Sequence, residues 1–294
     1  MRMRVLLLGG ESLLGRALVS QAAAESIQIE SVGCPAGGWH PAGIDEVLSN
    51  CQPDAVINLA FYHEQFQLGM QDASELARQY AFSERLIAAC ATRRAMLFML
   101  SSARVFDGLK STPYTEKDEM APADPLGQLQ AVLEKMLQQA SDQHLILRFS
   151  WLLDESSDGL LGRLLTQLSS QRPVQLAEEW RGNPTPINDA ARVMLALLKQ
   201  VDCDAPLYGV YHYGSSEISS WISFAKSLIQ ELLASRQLEA DPVVQPVPFV
   251  PQPATGGEPQ NAALACRRIL MACGVKPRPW RSQLPELLGA FAKA

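Results

Sequence analysis

The chain has no run of Lys and Arg long enough to track a phosphate backbone. Its 25 basic residues are outnumbered by 31 acidic ones, leaving a net charge of −6 on 294 residues. A nucleic-acid-binding protein is not expected from that balance. No apolar stretch approaches the ~20 residues that a membrane span requires. The six cysteines (34, 51, 90, 203, 266 and 273) form no CxxC pair and have no His at metal spacing. His40, His63, His144 and His212 are equally dispersed. Neither a disulfide framework nor a metal centre is expected, and scattered thiols suit a reducing compartment. The opening apolar run, Val5 to Leu8, is too short for a signal peptide and leads straight into Gly9-Gly10. The expectation is a cytoplasmic protein. Its 47% apolar and 19% charged residues suffice for a sizeable core, which excludes disorder as the main state. The length allows one large α/β domain or two coupled ones.

What is present is an alternation of strand and helix patterns. Val5–Leu8 is a short, fully apolar run, as expected for a parallel strand buried on both faces, and Ile27–Val32, Asp54–Leu59, Met96–Ser101 and His144–Phe149 read as further strands. Helical spacing at 13–24, 44–50, 72–94 and 128–140 separates them. This order predicts an α/β fold, a Rossmann-like doubly wound parallel sheet whose strand ends share one edge. Gly9-Gly10, Asn58, Ser101-Ser102 and Ser150-Trp151 fall on that edge. Beyond Phe149 the pattern loosens. Helices are expected at 160–168, 189–199 and 219–234, a strand at 209–213, and two short helices near 264–272 and 283–292. Six prolines between Asp241 and Pro259 forbid a helix there, and the segment reads as a substrate flap or a plain linker. Residues 1–150, with 182–213 returning to them, are expected to form a dinucleotide-binding domain. Residues 151–181 and 214–294 would form a smaller C-terminal substrate lobe.

The first strand runs into Gly9-Gly10-Glu11-Ser12-Leu13-Leu14-Gly15. A dinucleotide loop needs glycine at the tight turn and where helix packs on strand, with a small residue facing the pyrophosphate. Gly9 and Gly15 fit the outer positions. Ser12 occupies the middle one, where its Cβ narrows the approach while its hydroxyl could donate to a phosphate. Free N–H groups at the new helix start would complete the cradle. A similar turn with no nucleotide is the competing reading. After the second strand, Ser31-Val-Gly-Cys-Pro-Ala-Gly-Gly38 carries neither the acid that favours NAD nor the Arg that favours NADP, and Glu30 lies within the strand.

Several segments together carry a family resemblance. They are Leu8–Gly15, Pro53-Asp-Ala-Val-Ile-Asn-Leu-Ala60, Ser101-Ser-Ala-Arg-Val-Phe-Asp-Gly108, Pro113-Tyr-Thr-Glu-Lys-Asp118, Leu147-Arg-Phe-Ser-Trp151, Gly182-Asn-Pro-Thr185 and Gly209-Val-Tyr-His212. At these distances the chain resembles, nearly end to end, the dTDP-4-dehydrorhamnose reductases, which are extended short-chain dehydrogenase/reductases. The resemblance implies an NADP or NAD site at Gly9, Ser12, Leu13, Leu14, Gly15, Asn58, Ala60 and Ser101. It implies a nucleotide-sugar site at Tyr62, Arg104, Phe106, Trp151, Asn183 and Thr185. The family's reaction is hydride transfer from NAD(P)H to the C4 ketone of a deoxysugar nucleotide.

The same resemblance exposes departures. The family's Tyr-Gly-x-Ser-Lys-x-x-Gly-Glu supplies a proton donor and a lysine that tunes it. Here the stretch is Leu126-Gly-Gln-Leu-Gln-Ala-Val-Leu-Glu134, so Leu126 and Gln130 stand at the Tyr and Lys positions while Gly127 and Glu134 keep the frame. Ser102 retains the hydroxyl of the family's Thr and is the one catalytic-type residue left. Tyr80 replaces an Asn, Glu179-Trp180 an Asp-Gln, and Glu258 an Arg of the sugar loop. The expectation is a degenerate member, a pseudoenzyme that binds a nucleotide or nucleotide-sugar. An active reductase with a relocated donor is the alternative, with Tyr114 and Lys110, or Tyr62 and His63, as candidate contacts. A regulatory or scaffold subunit, with a protein partner or as a homodimer, is the third reading, since the regulatory beta subunit of methionine adenosyltransferase shares this fold. Arg148 is expected to be a structural ion-pair partner.

Overall fold

Val5–Leu8 forms β1, every residue of it buried. The computed structural model describes residues 3–25, 27–66, 72–154, 156–170, 172–250 and 258–291. In chain order β1 is followed by α1 (Leu13–Ala24), β2 (Ile29–Val32), α2 (Ile44–Cys51), β3 (Ala55–Asn58), α3 (Tyr62–Phe66), α4 (Ala73–Arg93), β4 (Met96–Ser102), α5 (Pro125–Ala140) and β5 (His144–Phe149). Next come β6 (Leu152–Leu153), α6 (Leu160–Leu168), β7 (Val174–Ala177), β8 (Arg181–Gly182), β9 (Thr185–Pro186), α7 (Ile187–Asp202) and β10 (Gly209–Tyr213). The chain closes with β11 (Ser219–Ser220), α8 (Trp221–Ala234), β12 (Val244–Val247), α9 (Arg267–Cys273) and α10 (Leu284–Phe291).

Six strands pair in the order β10-β5-β4-β3-β1-β2, every pair parallel. Alternate residues of β1 serve opposite faces, as the two-residue period of a strand requires. Val5 and Leu7 pack with Leu14 and Leu18 of α1 and with Met194 and Leu198 of α7. Leu6 and Leu8 pack with Leu48 of α2, Phe82 and Leu86 of α4, and Leu133 of α5. The sheet is therefore covered on both sides, as a parallel sheet must be. Strand order reverses between β1 and β3, and such a reversal opens a crevice at the strand ends.

A third cluster lies off the sheet. Leu161 and Leu164 of α6, Phe224 and Leu228 of α8, Trp280 and Leu288 share it with Trp151, Trp180 and Trp221. Short strand pairs fasten this lobe: β6 with β9, β8 with β11, and β7 with β12. Among its described residues, 241–250 and 258–259, the proline-rich segment forms no helix. Its residues 244–247 lie parallel to 174–177, and Pro246 is tolerated because β12 lies at an edge. Residues 251–257 of that segment lie outside the described residues. The expected helix at 219–234 starts at Trp221, because Ser219 and Ser220 pair with Gly182 and Arg181, and Ser220 caps the helix by accepting from the Ser223 N–H.

Candidate active site

The glycine loop is held by close backbone contact. Gly9 has φ +78°, and a Cβ there would lie 2.2 Å from the Leu59 carbonyl oxygen. A Cβ on Gly15 would stand 2.6 Å from the Gly9 carbonyl oxygen, so strand turn and helix start meet as a dinucleotide cradle demands. Ser12 is the N-cap of α1. Its hydroxyl donates to the Gly9 carbonyl at 2.7 Å and accepts from the Gly15 N–H at 3.0 Å. Both bonds are internal to the loop. The Leu13 and Leu14 N–H groups, at the first two helical positions, have no intrahelical acceptor and carry the positive end of the helix dipole.

A cavity of about 520 Å³ lies at the crevice between the ends of β1 and β3, lined by Glu11, Ser12 and Leu13, by Cys34 past β2, and by Leu59, Ala60 and Tyr62 past β3. Arg16, His63, Glu64, Arg78 and Asp154 add polar and charged groups to its wall. Asn58 acts indirectly: its side-chain oxygen accepts from the Ala60 N–H at 3.1 Å and shapes the turn below the cavity. A second, apolar cavity of about 210 Å³ shares Trp39 and reaches Leu8, Val32, Leu48 and Phe82. This cradle and its neighbouring cavities fit a dinucleotide.

The positions at which the resemblance implies a proton donor and its lysine hold Leu126 and Gln130. Leu126 is 5% exposed and Gln130 2% exposed, both on α5 facing the end of β4. The Ser102 hydroxyl donates to Gln130 Oε1 at 2.7 Å and accepts from the Arg104 N–H. The Gln130 amide nitrogen and the Ser101 hydroxyl are buried with no hydrogen-bond partner among the described residues. The frame is secure, because a Cβ on Gly127 would fall 2.3 Å from the Arg104 carbonyl oxygen. Helix α5 therefore packs against the turn after β4 at one register only.

The phenols and ammonium that could substitute are engaged. Tyr114 OH donates to Asp107 at 2.5 Å and stacks on Phe106 at 4.3 Å. Burial, with Asp107 beside it, pushes the Tyr114 phenol up to about 12. Lys110 Nζ is held by both oxygens of Asp118 at 2.8 Å. Tyr62 is buried and donates to Asp154 at 2.9 Å, and burial followed by the Asp154 charge raises its phenol well above the usual range.

Of the residues expected to touch substrate, Tyr62 lines the large cavity, and Arg104, Phe106, Trp151, Asn183 and Thr185 are buried. Arg104 lies 2.9 Å from Glu258 through Nε and 3.4 Å from Asp124 through Nη1. Asp124 also caps α5 by accepting from the Leu126 and Gly127 N–H groups, and burial raises its pKa. Trp151, at φ +38°, lies against Gly182, with Trp180 and Trp221 5.3 and 5.1 Å away. The Asn183 amide donates to Ser215 O and accepts from the Leu264 N–H, and Thr185 donates to Asn183 O. Arg148 forms a buried pair with Glu134 at 2.5 Å, the structural partnership expected of it. Glu11, Arg16, Arg78 and Asp154 were not singled out from the sequence. Nothing in their local spacing marks them, since four separate elements bring them together.

A family model described as "RmlD substrate binding domain" matches residues 3–293. The chain belongs to that family. A dTDP-4-dehydrorhamnose reductase of Sinorhizobium fredii is 24% identical over 98% of each chain, and one of Aggregatibacter actinomycetemcomitans is 26% identical over 82% of each. The crystal structure of a dTDP-4-dehydrorhamnose reductase from Clostridium acetobutylicum superposes at TM-score 0.82 with 22% identity, over 99% of this chain and all of that one. The reductase of Bacillus anthracis, solved in complex with NADP, gives 0.79 at 18% identity over the same shares. These superpositions establish the α/β fold, with its six-stranded parallel sheet. Among the described residues, no helix is long and apolar enough to cross a membrane, and no group of three or more His, Cys, Asp and Glu could hold a metal.

Proposed function

We propose that this chain binds a nicotinamide dinucleotide, and with it a nucleotide or nucleotide-sugar, without efficient hydride transfer. The observation that carries the reading is the pair Leu126 and Gln130 in an intact frame, with the Ser102 hydroxyl directed onto Gln130. A bound NAD(P)H supplies hydride, and the ketone that receives it needs a proton from a positioned donor. Leu126 has no proton to give, and Gln130 has no charge with which to tune one. Absence of a general acid costs about 10²–10⁴-fold. The substrate side points the same way, since Arg104 is matched by two carboxylates, Asp124 and Glu258, leaving that corner net negative toward a pyrophosphate.

In this reading residues 1–150 with 182–213 hold the dinucleotide, and 151–181 with 214–294 form the substrate lobe. The setting is cytoplasmic. A second reading, a working reductase with a relocated donor, is favoured by one observation: the Tyr62–Asp154 pair lines the large cavity.

The test is steady-state turnover of NADH and NADPH with a dTDP-4-keto-6-deoxy sugar, alongside calorimetric binding of each nucleotide. The expected result is binding with turnover at least 10²-fold below that of an active reductase. The double variant Leu126→Tyr with Gln130→Lys should raise turnover by about 10²-fold or more. Wild-type turnover at normal rates, abolished by Tyr62→Phe, would establish the second reading. Silence toward every nucleotide would leave a scaffold subunit.

A further inference from the structure

The segment following β2 carries no acid and no arginine, yet the end of β2 is where an adenosine ribose is read. We infer that Glu11, delivered from the glycine loop, fills that place and makes the site one for NAD(H) rather than NADP(H). The inference rests on the dinucleotide-binding reading above.

The backbone leaves Glu11 little choice of position. The Gly9 and Gly10 N–H groups both donate to the Val32 carbonyl, at 2.9 and 3.3 Å, which laces the loop to the last residue of β2. Glu11 Oε1 then accepts from the Cys34 N–H at 3.0 Å, two residues beyond that strand. Its second oxygen, Oε2, lies beside Gly33, 3.4 Å from where a Cβ would stand. Glu11 and Cys34 line the same cavity as the cradle residues Ser12 and Leu13. A carboxylate is thus fixed at the strand end while coming from a different part of the chain. That explains why the residues after β2 show no specificity signal.

A carboxylate accepts from the 2′-hydroxyl of an unmodified ribose, whereas a 2′-phosphate brings up to two negative charges toward it. The surrounding charge reinforces the choice. The cavity wall carries three carboxylates, Glu11, Glu64 and Asp154, against two guanidinium groups, Arg16 and Arg78. Arg78 is already engaged, 2.6 Å from Glu75 and 5.7 Å above the Phe61 ring. The Cys34 thiol senses the same field: burial, then Glu11 and Glu64, raise its pKa against the pull of Arg78.

The test is calorimetric titration of the full chain with NADH, NADPH, ADP-ribose and 2′-phospho-ADP-ribose, repeated on Glu11→Gln. Glutamine keeps an oxygen for the Cys34 N–H but removes the charge, and a thermal melt checks that the fold is unchanged. Wild type should bind NADH and ADP-ribose about tenfold or more tighter than their 2′-phosphorylated counterparts. Glu11→Gln should shrink that ratio to within about threefold, chiefly by improving the phosphorylated ligands. Equal or tighter NADPH binding by wild type, or an unchanged ratio in the variant, would overturn the inference while leaving the dinucleotide site standing. No binding by any of the four would overturn both.

Discussion

Gly9 combines a left-handed backbone, φ +78°, with the Leu59 carbonyl oxygen only 2.2 Å from any Cβ. Gly9→Ala therefore meets both torsional strain and a backbone clash that no side-chain rotation relieves. It should cost about 2 kcal/mol or more, read as a lower midpoint in urea denaturation and a lower Tm. A midpoint within error of wild type would show that the loop can yield. The glycines were legible because backbone approach leaves no alternative residue, so spacing alone reveals them. Leu126 and Gln130 were legible for a related reason: Gly127 pressed on Arg104 and Glu134 paired with Arg148 hold the frame around them. Arg104 and Glu258 were not legible as partners. They are 154 positions apart, and only the folded lobe junction brings a guanidinium to that carboxylate.

At the scale of elements, α1 shows how a helix start can be satisfied from within. A Ser N-cap stabilises a helix by accepting from its first turn, and Ser12 spends that bond on the Gly15 N–H. The same N–H belongs to the set that would face a pyrophosphate. Ser12→Gly should cost only a few tenths of a kcal/mol in stability, because glycine is itself a tolerated cap. It should tighten nucleotide binding severalfold by removing the Cβ and freeing the N–H. Weaker binding in a calorimetric titration would mean that the hydroxyl contributes to the ligand after all. Long periodic elements such as α4, Ala73–Arg93, were readable to within a residue or two because their pattern spans several turns. The two-residue strands β6, β8, β9 and β11 were not, since pairing across the lobe defines them rather than any local period. The five-residue α3 was missed likewise, being too short to display one.

For the whole molecule, the last strand of the sheet is tied to three earlier elements through one buried imidazole. His212 of β10 accepts from Arg148 of β5 at Nε2, 3.2 Å, and donates from Nδ1 to the Tyr114 carbonyl at 3.1 Å. A carbonyl only accepts and a guanidinium only donates, so the ring is neutral with its proton on Nδ1. Arg148 pairs in turn with Glu134 of α5, and Glu116 accepts from the His212 N–H. Burial, then the Arg148 charge, lowers the His212 pKa from 6.5 to about 3, outweighing the opposing pull of Asp118. Between those values the unfolded chain binds a proton that the folded chain refuses. Stability is therefore complete above pH 6.5 and falls as the pH drops toward 3, at up to about 1.4 kcal/mol per unit. The Asp118 carboxyl, held near 2 by Lys110, loses its contribution only below 3.8, so the interval from 6.5 to 5 isolates the imidazole from it. Urea unfolding should show wild type losing about 2 kcal/mol between pH 7.5 and 5.0. His212→Gln can still donate to Tyr114 O and accept from Arg148, and it leaves the other three histidines in place. It should be less stable at pH 7.5 yet lose little on acidification. An equal pH slope in both proteins would mean that β10 is not locked to the sheet through a neutral His212.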